Sequence, residues 1–270
     1  MTAAEIVPFE NVLRRTRRPY LDKAPATPFV KWAGGKRVLI PDLAKYFPER
    51  IGTYWEPFVG GGAVFFTFAD RMDRAILSDR NEELVIAYQV VKDRVDDLIE
   101  ALRAHEIGHK DDRYYLRVRA QEPTDALAIA ARFIYLNKTC FNGLYRVNKS
   151  GKFNVPKGRH KKPDICNPER LRKASAALAK ATIRLGDFEK VVRPGPEDFI
   201  YCDPPYDDCF TGYQAGGFTS EDQERLRNAV DSWAETGAEI MVSNSDTPLI
   251  RRLYRGGRDS PSMKRKPRAS

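Results

Sequence analysis

Apolar residues along the chain form two recurring patterns, short dense runs that predict strands and longer stretches at helical spacing that predict helices. The runs that predict strands lie at 51–58, 74–79, 181–185, 198–203 and 238–244. The helical stretches lie at 63–72, 81–105, 112–138, 167–179 and 220–237. Elements that alternate in this way predict an α/β fold around a mostly parallel, doubly wound sheet, which binds ligands at the carboxyl ends of its strands.

Helix starts and breaks in periodicity refine this prediction. Asn81 stands where an N-cap is expected, and Ser220 and Gln223 have the spacing of a capping box. From Cys140 to about Pro163 the chain is rich in Asn, Gly, Lys and aromatic residues without a clear period, which predicts a hairpin or loop inserted into the α/β frame. Residues 1–28 show little apolar periodicity and predict a basic N-terminal arm.

Charge indicates the kind of partner. The net charge is +9, and residues 131–180 hold thirteen Lys and Arg against two acids, so the basicity is concentrated in one patch that favours a polyanion. No apolar run approaches the roughly 20 residues that span a bilayer, and the first residues lack the features of a signal peptide, so we expect a cytoplasmic protein with no membrane partner. The spacing of the four Cys and three His predicts neither a disulfide framework nor a metal site.

Two motifs at predicted strand ends are typical of a nucleotide-like ligand. Glu56 to Gly62 places three glycines between a strand and a helix, where the backbone can approach a ligand. Asp79 ends the next strand, the place where α/β nucleotide folds put an acid on ribose hydroxyls. Taken alone, each has a structural alternative, a tight turn for the glycines and a helix cap for Asp79. The chain lacks GxGxxG and a Walker lysine, so phosphate cofactors are disfavoured.

The third motif is Asp203-Pro204-Pro205-Tyr206, which follows an apolar run. Two prolines fix the backbone in an extended turn, so Asp203 and the carbonyl of Pro204 can bind both N–H groups of a planar amine and orient its lone pair towards a methyl donor. Tyr206 can stack on a base drawn out of a duplex. Standing alone, the tetrapeptide has a structural Pro-Pro corner as its alternative.

Five segments stand in a characteristic order: KWAGGK at 31–36, EPFVGGG at 56–62, SDRN at 78–81, the basic stretch at 135–163 and DPPY at 203–206. Together they resemble the Dam-like, D12-class adenine-N6 DNA methyltransferases of the alpha group, from about Phe29 to Asp246. The resemblance implies a Rossmann-like sheet and an inserted, mostly helical target-recognition domain with a β-hairpin. It also implies transfer of a methyl group from S-adenosyl-L-methionine to N6 of a flipped-out adenine in double-stranded DNA, with no metal, and GATC as the target sequence.

The same resemblance assigns site residues. Those expected to contact the cofactor are Trp32, Lys36, Glu56, Phe58, Gly60, Asp79, Asp187, Phe188 and Asp203. Those expected to catalyse transfer are Asp203, Pro204, Pro205 and Tyr206. Those expected to contact DNA are Lys31, Phe141, Asn142, Leu144, Arg146 and Arg159, with Phe141 as a wedge and Leu144, Arg146 and Arg159 reading bases. Arginine suits that task because it can pair bidentately with guanine O6 and N7.

The resemblance also implies a division of the chain. We expect a catalytic domain from 29–90 and 181–256, a recognition domain at 91–180, and basic ends at 1–28 and 257–270. The family continues into a terminal strand pair after Asp246, whereas no strand is predicted here after Tyr254. We therefore expect the C-terminal strand pair to be missing or truncated.

Two other readings stay open on the residues alone. One is methylation of cytosine N4, of RNA or of a protein side-chain amide, although the basic patch argues against a protein substrate and Asp203 stands where a cytosine enzyme more often has Ser. The other is a DNA-binding protein that has lost catalysis with its terminal strands. For the enzyme we expect a monomer, with a cognate restriction endonuclease at the same site as a candidate partner.

Overall fold

The computed structural model describes residues 5–6, 24–207 and 217–255, which build an α/β fold. Its strands are β1 (Glu5–Ile6), β2 (Ile51–Glu56), β3 (Met72–Asp79), β4 (Ala181–Leu185), β5 (Phe199–Cys202) and β6 (Glu239–Val242). They form one sheet in the order β1-β6-β5-β2-β3-β4, and every described pairing is parallel. The predicted parallel, doubly wound sheet is thus confirmed.

Helices connect the strands. They are α1 (Ile40–Leu43), α2 (Ala63–Phe68), α3 (Glu82–Asp93), α4 (Val95–Gly108), α5 (Tyr114–Ala120), α6 (Ala126–Thr139), α7 (Pro168–Leu178), α8 (Phe188–Val191), α9 (Ser220–Glu235) and α10 (Pro248–Leu253). Short 3-10 turns cover Lys36–Val38, Ala69–Arg71 and Phe141–Gly143. The side chain of Asn81 accepts a hydrogen bond from the Leu84 amide, which confirms Asn81 as the N-cap of α3.

Two of the predicted helices are each two helices. The stretch 81–105 breaks at Arg94, whose φ of −139° and ψ of 41° leave the helical region, and α4 then begins with acids in its first turn, where the helix dipole favours them. The stretch 112–138 breaks at 121–125, which contains Pro123, because proline disfavours helical backbone at the residue before it. Asp125 caps the second helix through the Ala128 amide.

The glycine-turn helix and the capping box also differ from expectation. The helix predicted at 63–72 ends at Phe68, and Met72 already belongs to β3. The predicted Ser220–Gln223 capping box is wrong, since Thr219 is the N-cap of α9 and exchanges hydrogen bonds with Asp222. The register moves by one residue, which frees Gln223 for another contact.

Alternate residues of the central strand β5 enter different cores. In β5, Phe199 and Tyr201 lie in the core beneath α2, α3 and α6, whereas Ile200 and Cys202 lie in the core beneath α9. All four side chains are buried, as expected for a parallel strand covered on both faces. The sheet is therefore the middle layer of a three-layer structure.

The strand order produces the crevice that holds the site. From β2 the chain adds β3 and then β4 on one side, and it later returns to place β5 and β6 on the other. Loops that leave β2 and β5 therefore run apart at the carboxyl edge of the sheet, which is where open α/β sheets bind ligands. Glu56 ends β2, and Asp203 directly follows β5.

The segment between β3 and β4 supplies most of the added helices. After α3 it continues from α4 to α7, and the core residues of these helices are continuous with those beneath α3. Antiparallel bridges join Cys140 to Lys157 and Val147 to Phe153, in the region where a hairpin is predicted.

The chain ends lie mostly outside the described residues. Within the predicted arm at 1–28, Glu5–Ile6 pair with Met241 and Val242 as an edge strand. The predicted loss of the C-terminal strand pair and the basic tail at 257–270 fall outside the described residues. Among the helices that are described, none has the length and apolar character needed to cross a bilayer.

Arg132 joins the inserted helices to the frame and gives a test of the fold. Its buried guanidinium donates to Glu83 on α3 at 2.8 Å and to the carbonyls of Val118 and Arg119 in the last turn of α5. We expect Arg132→Ala to lower the unfolding free energy by about 3 kcal/mol, because it leaves these acceptors inside without their donor. Denaturant titration with far-UV circular dichroism measures the change.

Arg172 provides the matched control. Its pair with Asp96 is exposed on both sides, so Arg172→Ala should change the unfolding free energy by less than about 0.5 kcal/mol. Equal losses in the two variants would show that the Arg132 contacts do not hold the layers together.

Candidate active site and nucleic-acid interface

The glycine turn after β2 is shaped by Trp32. Gly60 has a φ of 46°, and a Cβ there would stand 2.6 Å from the Trp32 ring. Gly62 has a φ of 68°, and its Cβ would meet the Tyr88 hydroxyl at 2.5 Å. Both positions thus require glycine for backbone conformation and for space. The structure brings Trp32 and Gly60, two predicted cofactor residues, into direct contact.

Asp79 fastens this turn to the end of β3. One carboxylate oxygen accepts a hydrogen bond from the Gly60 amide at 3.1 Å, and the other accepts one from the Asn81 amide at 2.9 Å. Burial raises the pKa of Asp79, and the backbone donors oppose that rise. Each oxygen keeps a second lone pair, so the carboxylate can fix the turn and still accept from a ligand hydroxyl.

The Pro-Pro corner holds Asp203 in an unusual state. Its Oδ2 lies 2.6 Å from the Lys36 ammonium, which also donates to the Gly34 carbonyl at 2.8 Å. Its Oδ1 is buried and has no hydrogen-bond partner among the described residues. A buried carboxylate oxygen without a donor costs free energy, so this atom is suited to receive a donor from a ligand.

Three further groups surround this carboxylate. Pro204 is buried, Pro205 is exposed and Tyr206 is half-buried, with the Lys36 ammonium 4.7 Å from the centre of the Tyr206 ring. Burial raises the pKa of Asp203, while the Lys36 ammonium opposes that rise. Lys36 therefore keeps negative charge available in a dry site and lies against the ring expected to stack on a base.

Glu56 is a second acid in this site. Its side chain is 3% exposed and accepts a hydrogen bond from the Tyr54 hydroxyl at 2.9 Å. Burial raises the pKa of Glu56 to about 8, and the Asp203 charge adds to the rise. Two carboxyl groups thus share a crevice in which Lys36 is the neighbouring cation.

The corner is also held from behind, by residues that the sequence pattern did not reveal. Gln223 is fully buried and donates to the Pro205 carbonyl at 3.0 Å, and Asn244 donates to Gln223 at 2.9 Å. The one signal in the sequence is a glutamine on the inward face of an amphipathic helix, and the predicted capping box accounts for it in another way. The contact fixes the second carbonyl of the Pro-Pro step.

Aromatic rings line the far end of the crevice. Phe58 lies 5.5 Å from Phe188 and 5.8 Å from Phe218 between ring centres. Phe188 is only 1% exposed, so Phe58 and Phe218, which are partly exposed, are the rings that a ligand can reach. Phe218 lies outside every motif we recognised, and an isolated Phe before a helix gives no signal in the sequence.

Asp187 lies next to these rings and is already engaged. It caps α8 through the Glu189 amide and accepts a hydrogen bond from Arg225 at 2.9 Å. Arg80 approaches its other oxygen at 3.9 Å. Asp187 is thus fixed at the carboxyl edge of the sheet, beyond the end of β4.

Residues 141–144, which we call the recognition loop because they are predicted to contact DNA, present an exposed ring on a constrained backbone. Phe141 is 50% exposed, although it is a large hydrophobic residue. Asn142 and Gly143 both have left-handed φ, 54° and 66°, which Asn and Gly adopt most readily. Asn142 is exposed and Leu144 half-buried, so the loop offers Phe141 and Asn142 to the outside.

Arg146 is oriented across the hairpin. Its Nε donates to the Asn154 side chain at 2.7 Å, and the Asn154 amide donates to the Arg146 carbonyl at 3.0 Å. The contact leaves guanidinium donors for a further partner, since arginine has five. Asn154 thus orients Arg146, a predicted DNA contact, and sequence reasoning missed it.

The basic patch is partly neutralised in the fold. Of its cations, Arg170, Arg172, Lys173, Lys152, Lys157 and Arg132 pair with carboxylates. No described carboxylate lies within salt-bridge distance of five exposed residues, Arg146, Lys149, Arg159, Lys161 and Lys162. The unpaired charge therefore gathers on the hairpin and the segment after it, and Lys31 is exposed against the same loop.

The geometry therefore combines two surfaces. A buried crevice offers an unsatisfied carboxylate oxygen, a neighbouring ammonium and aromatic walls, which suits a planar amine beside a cationic or uncharged ligand. An exposed hairpin offers unpaired guanidinium and ammonium groups with a projecting ring, which suits a polyanion with stacked bases.

The chain is similar in sequence to known proteins over most of its length. The family model described as D12 class N6 adenine-specific DNA methyltransferase matches residues 32–266. Type II methyltransferase M1.LlaDCHI of Lactococcus lactis subsp. cremoris is 40% identical over 242 residues, 84% of each chain. Type II methyltransferase M.MjaIII of Methanocaldococcus jannaschii is 40% identical over 254 residues, 85% of this chain and 88% of that one. DNA adenine methylase of Escherichia coli strain K12 is 35% identical over 234 residues, 84% and 83%.

Glu56 makes stability depend on pH in a defined direction. Its pKa of about 8 in the fold exceeds the ordinary 4.5, so the fold favours the protonated carboxyl and this stabilisation is lost as pH rises from about 4.5 to about 8. Glu56→Gln keeps an acceptor for Tyr54. We expect its free energy of unfolding to rise relative to that of the wild type by up to about 1.4 kcal/mol for each pH unit across that window. Denaturant titrations at pH 5 to 8.5 measure the difference.

Gln in place of Glu49, an exposed acid, gives the control, since an exposed carboxyl has little effect on this difference. A difference between wild type and Glu56→Gln that stays constant with pH would contradict the raised pKa.

Proposed function

The chain belongs to the D12 class of N6 adenine-specific DNA methyltransferases, and we propose that it transfers the methyl group of S-adenosyl-L-methionine to N6 of an adenine flipped out of duplex DNA within GATC. The observation that carries the proposal is Asp203, which is held by Lys36 through one oxygen and buries the other without a donor. The amino group of a target base supplies such a donor. Cytosine N4 and protein amides find no specific support beside the family match.

The crevice fits the proposed methyl donor. Phe58 and Gly60 belong to the glycine turn, Trp32 and Asp79 contact it, and Lys36 lies beside Asp203. Phe188 belongs to the aromatic wall, and Asp187 precedes it. Asp79 accepts from the ribose hydroxyls with its remaining lone pairs, and Phe58 and Phe218 flank the adenine ring. The Asp203 carboxylate gives the crevice negative charge, which favours a sulfonium cation. When bound, S-adenosyl-L-methionine supplies an electrophilic methyl group.

The protein contributes orientation to the reaction. The Asp203 Oδ1 and the Pro204 carbonyl accept the two N–H groups of the target amine, which directs its lone pair away from the ring. Tyr206 stacks on the extruded base, and Lys36 holds the other Asp203 oxygen so that the carboxylate cannot rotate. Gln223 fixes the corner that carries these acceptors.

The hairpin carries the proposed sequence recognition. Phe141 enters the base stack beside the target, and Leu144, Arg146 and Arg159 contact base edges. Lys31 and Asn142 contact the backbone nearby. The support is the exposure of Phe141, Asn142, Arg146 and Arg159 on the hairpin and the segment after it. No described carboxylate lies within salt-bridge distance of Arg146 or Arg159. GATC rests on the resemblance of this hairpin to those of GATC enzymes.

The rest of the proposal concerns organisation. Residues 29–90 and 181–256 act as the catalytic domain and 91–180 as the recognition domain, since the cofactor residues lie on the sheet and the unpaired cations on the insertion. The enzyme works as a cytoplasmic monomer, because methylating one strand at a time requires no symmetry. Two relatives are named type II methyltransferases, which supports a cognate endonuclease at the same site.

The first test concerns chemistry. Labelled methyl from S-adenosyl-L-methionine should enter duplexes that contain GATC and be recovered as N6-methyladenine. Asp203→Ala should lower kcat at least about 1000-fold, because it removes a preorganised acceptor, while DNA affinity stays within about threefold. Asp207→Asn removes a carboxylate from the same loop and should keep kcat within about threefold.

Three outcomes would contradict these proposals. Retained transfer in Asp203→Ala would remove Asp203 from the reaction. Label recovered as N4-methylcytosine would refute the target base. Equal transfer to duplexes without GATC would keep the chemistry and refute the target sequence.

The second test concerns recognition, with two neighbouring cations of the hairpin. Arg146→Ala should lower the preference for GATC over single-base variants by about 10- to 100-fold at one base position, because a bidentate contact to guanine is lost. Lys149→Ala should weaken binding to all duplexes alike and reduce the salt dependence by about one charge. Measured kcat/KM values for all single-base variants separate the two effects. Unchanged preference in Arg146→Ala would exclude Arg146 as a base reader.

A further inference from the structure

One buried amide joins the crevice to the recognition loop. Asn137 lies on α6, is 3% exposed and accepts a hydrogen bond from the Lys31 amide at 2.8 Å. Its Nδ2 donates to the Lys31 carbonyl at 2.7 Å and to the Gly143 carbonyl at 3.2 Å. A single side chain thus binds both peptide groups of Lys31 and the recognition loop.

The segment that Asn137 holds is the one that covers the crevice. We call residues 31–36 the strap. Within it, Trp32 lies against Gly60, and Lys36 binds the Asp203 carboxylate at 2.6 Å. Because the strap is short, a displacement of one end moves the other end as well.

The loop is fitted to the strap as well as bonded to it. A Cβ on Gly143 would stand 2.6 Å from the Lys31 side chain, so the loop passes directly beneath the strap. Trp32 also stacks on Tyr145 of the hairpin at 6.0 Å between ring centres, with 26° between the planes. Tyr145 in turn donates to Glu83 at 3.0 Å. The contacts between strap and hairpin are tightly packed and form one continuous path.

We propose that Asn137 is a positioning residue that couples the occupied crevice to the recognition loop, so that cofactor and DNA each strengthen binding of the other. The inference rests on the proposed function of the two surfaces. A strap ordered by a ligand at Gly60 and Asp203 presents both peptide groups of Lys31 to Asn137 in one position. Asn137 then holds Gly143, and with it Phe141 and Asn142, in the conformation that contacts DNA. Coupling is reciprocal, so DNA bound at the loop also favours the closed strap.

The test measures this coupling in the full chain. The Kd of a GATC duplex is determined with and without saturating S-adenosylhomocysteine. We expect the wild type to bind DNA about tenfold more tightly with it, within the usual range for coupled sites. In Asn137→Asp, which keeps the bond to the Lys31 amide and loses both donated bonds, the ratio should fall below about twofold. Asn137→Ala, which loses all three bonds, should behave likewise.

Asp125→Ala is the matched control, because Asp125 caps the same helix at its other end and touches neither the strap nor the loop. It lowers helix stability and should keep the tenfold ratio, so a loss of stability alone does not mimic the effect. Hydrogen exchange supplies a second readout. Added duplex should slow exchange of residues 31–36 in the wild type and in Asp125→Ala, and not in Asn137→Asp.

Each outcome decides the matter. The inference is overturned if the ratio of DNA Kd values without and with S-adenosylhomocysteine is one in the wild type, or if it stays tenfold in both Asn137 variants. In either case the proposed function stands as long as the wild type binds both ligands. A wild type that binds DNA and not S-adenosylhomocysteine overturns the proposed function, and the inference with it. A ratio lost equally in Asp125→Ala shows a purely structural role and also overturns it.

Discussion

The pairing of β2 with β5 is the constraint on which the site depends. It brings the ends of two strands together and so places Glu56 and Asp203 in one crevice. Burial raises the pKa of both acids, and the Asp203 charge raises that of Glu56 further. The buried Lys36 ammonium opposes the rise at both groups. If any of these three groups were exposed to solvent, its interactions with the other two and with a ligand would weaken.

The conformation of the backbone positions the other groups around Glu56 and Asp203. The glycine turn admits Trp32, and Asp79 fixes the turn by accepting from Gly60. The Pro-Pro corner needs no helix or strand partner, and Gln223 secures it instead. Rigid backbone therefore positions the acceptors, so a ligand meets groups that are already oriented and loses less free energy to their reorganisation.

Sequence reasoning reached the parts of the molecule that follow periodicity or short motifs. It predicted the parallel sheet, the Asn81 cap and the residues that the structure gathers at the strand ends. It missed Gln223, Phe218 and Asn137, because each matters through a contact between segments far apart in the chain. It also joined helices that Arg94 and residues 121–125 separate, since apolar spacing continues across those breaks. Local patterns predict elements, whereas these residues are defined by how the elements pack.

Burial separates the residues proposed to act in catalysis from those proposed to contact DNA. Lys36 and Glu56 are buried and Asp203 is 18% exposed, so their interactions act at short range and are little screened by salt. Arg146, Arg159 and Lys149 are exposed, so their attraction to a polyanion falls steeply with salt. A change of ionic strength therefore alters the affinity for DNA. It has little effect on the buried groups at the reacting amine. Asn137 lies between these two regimes, buried like the first set and in contact with the loop that bears the second.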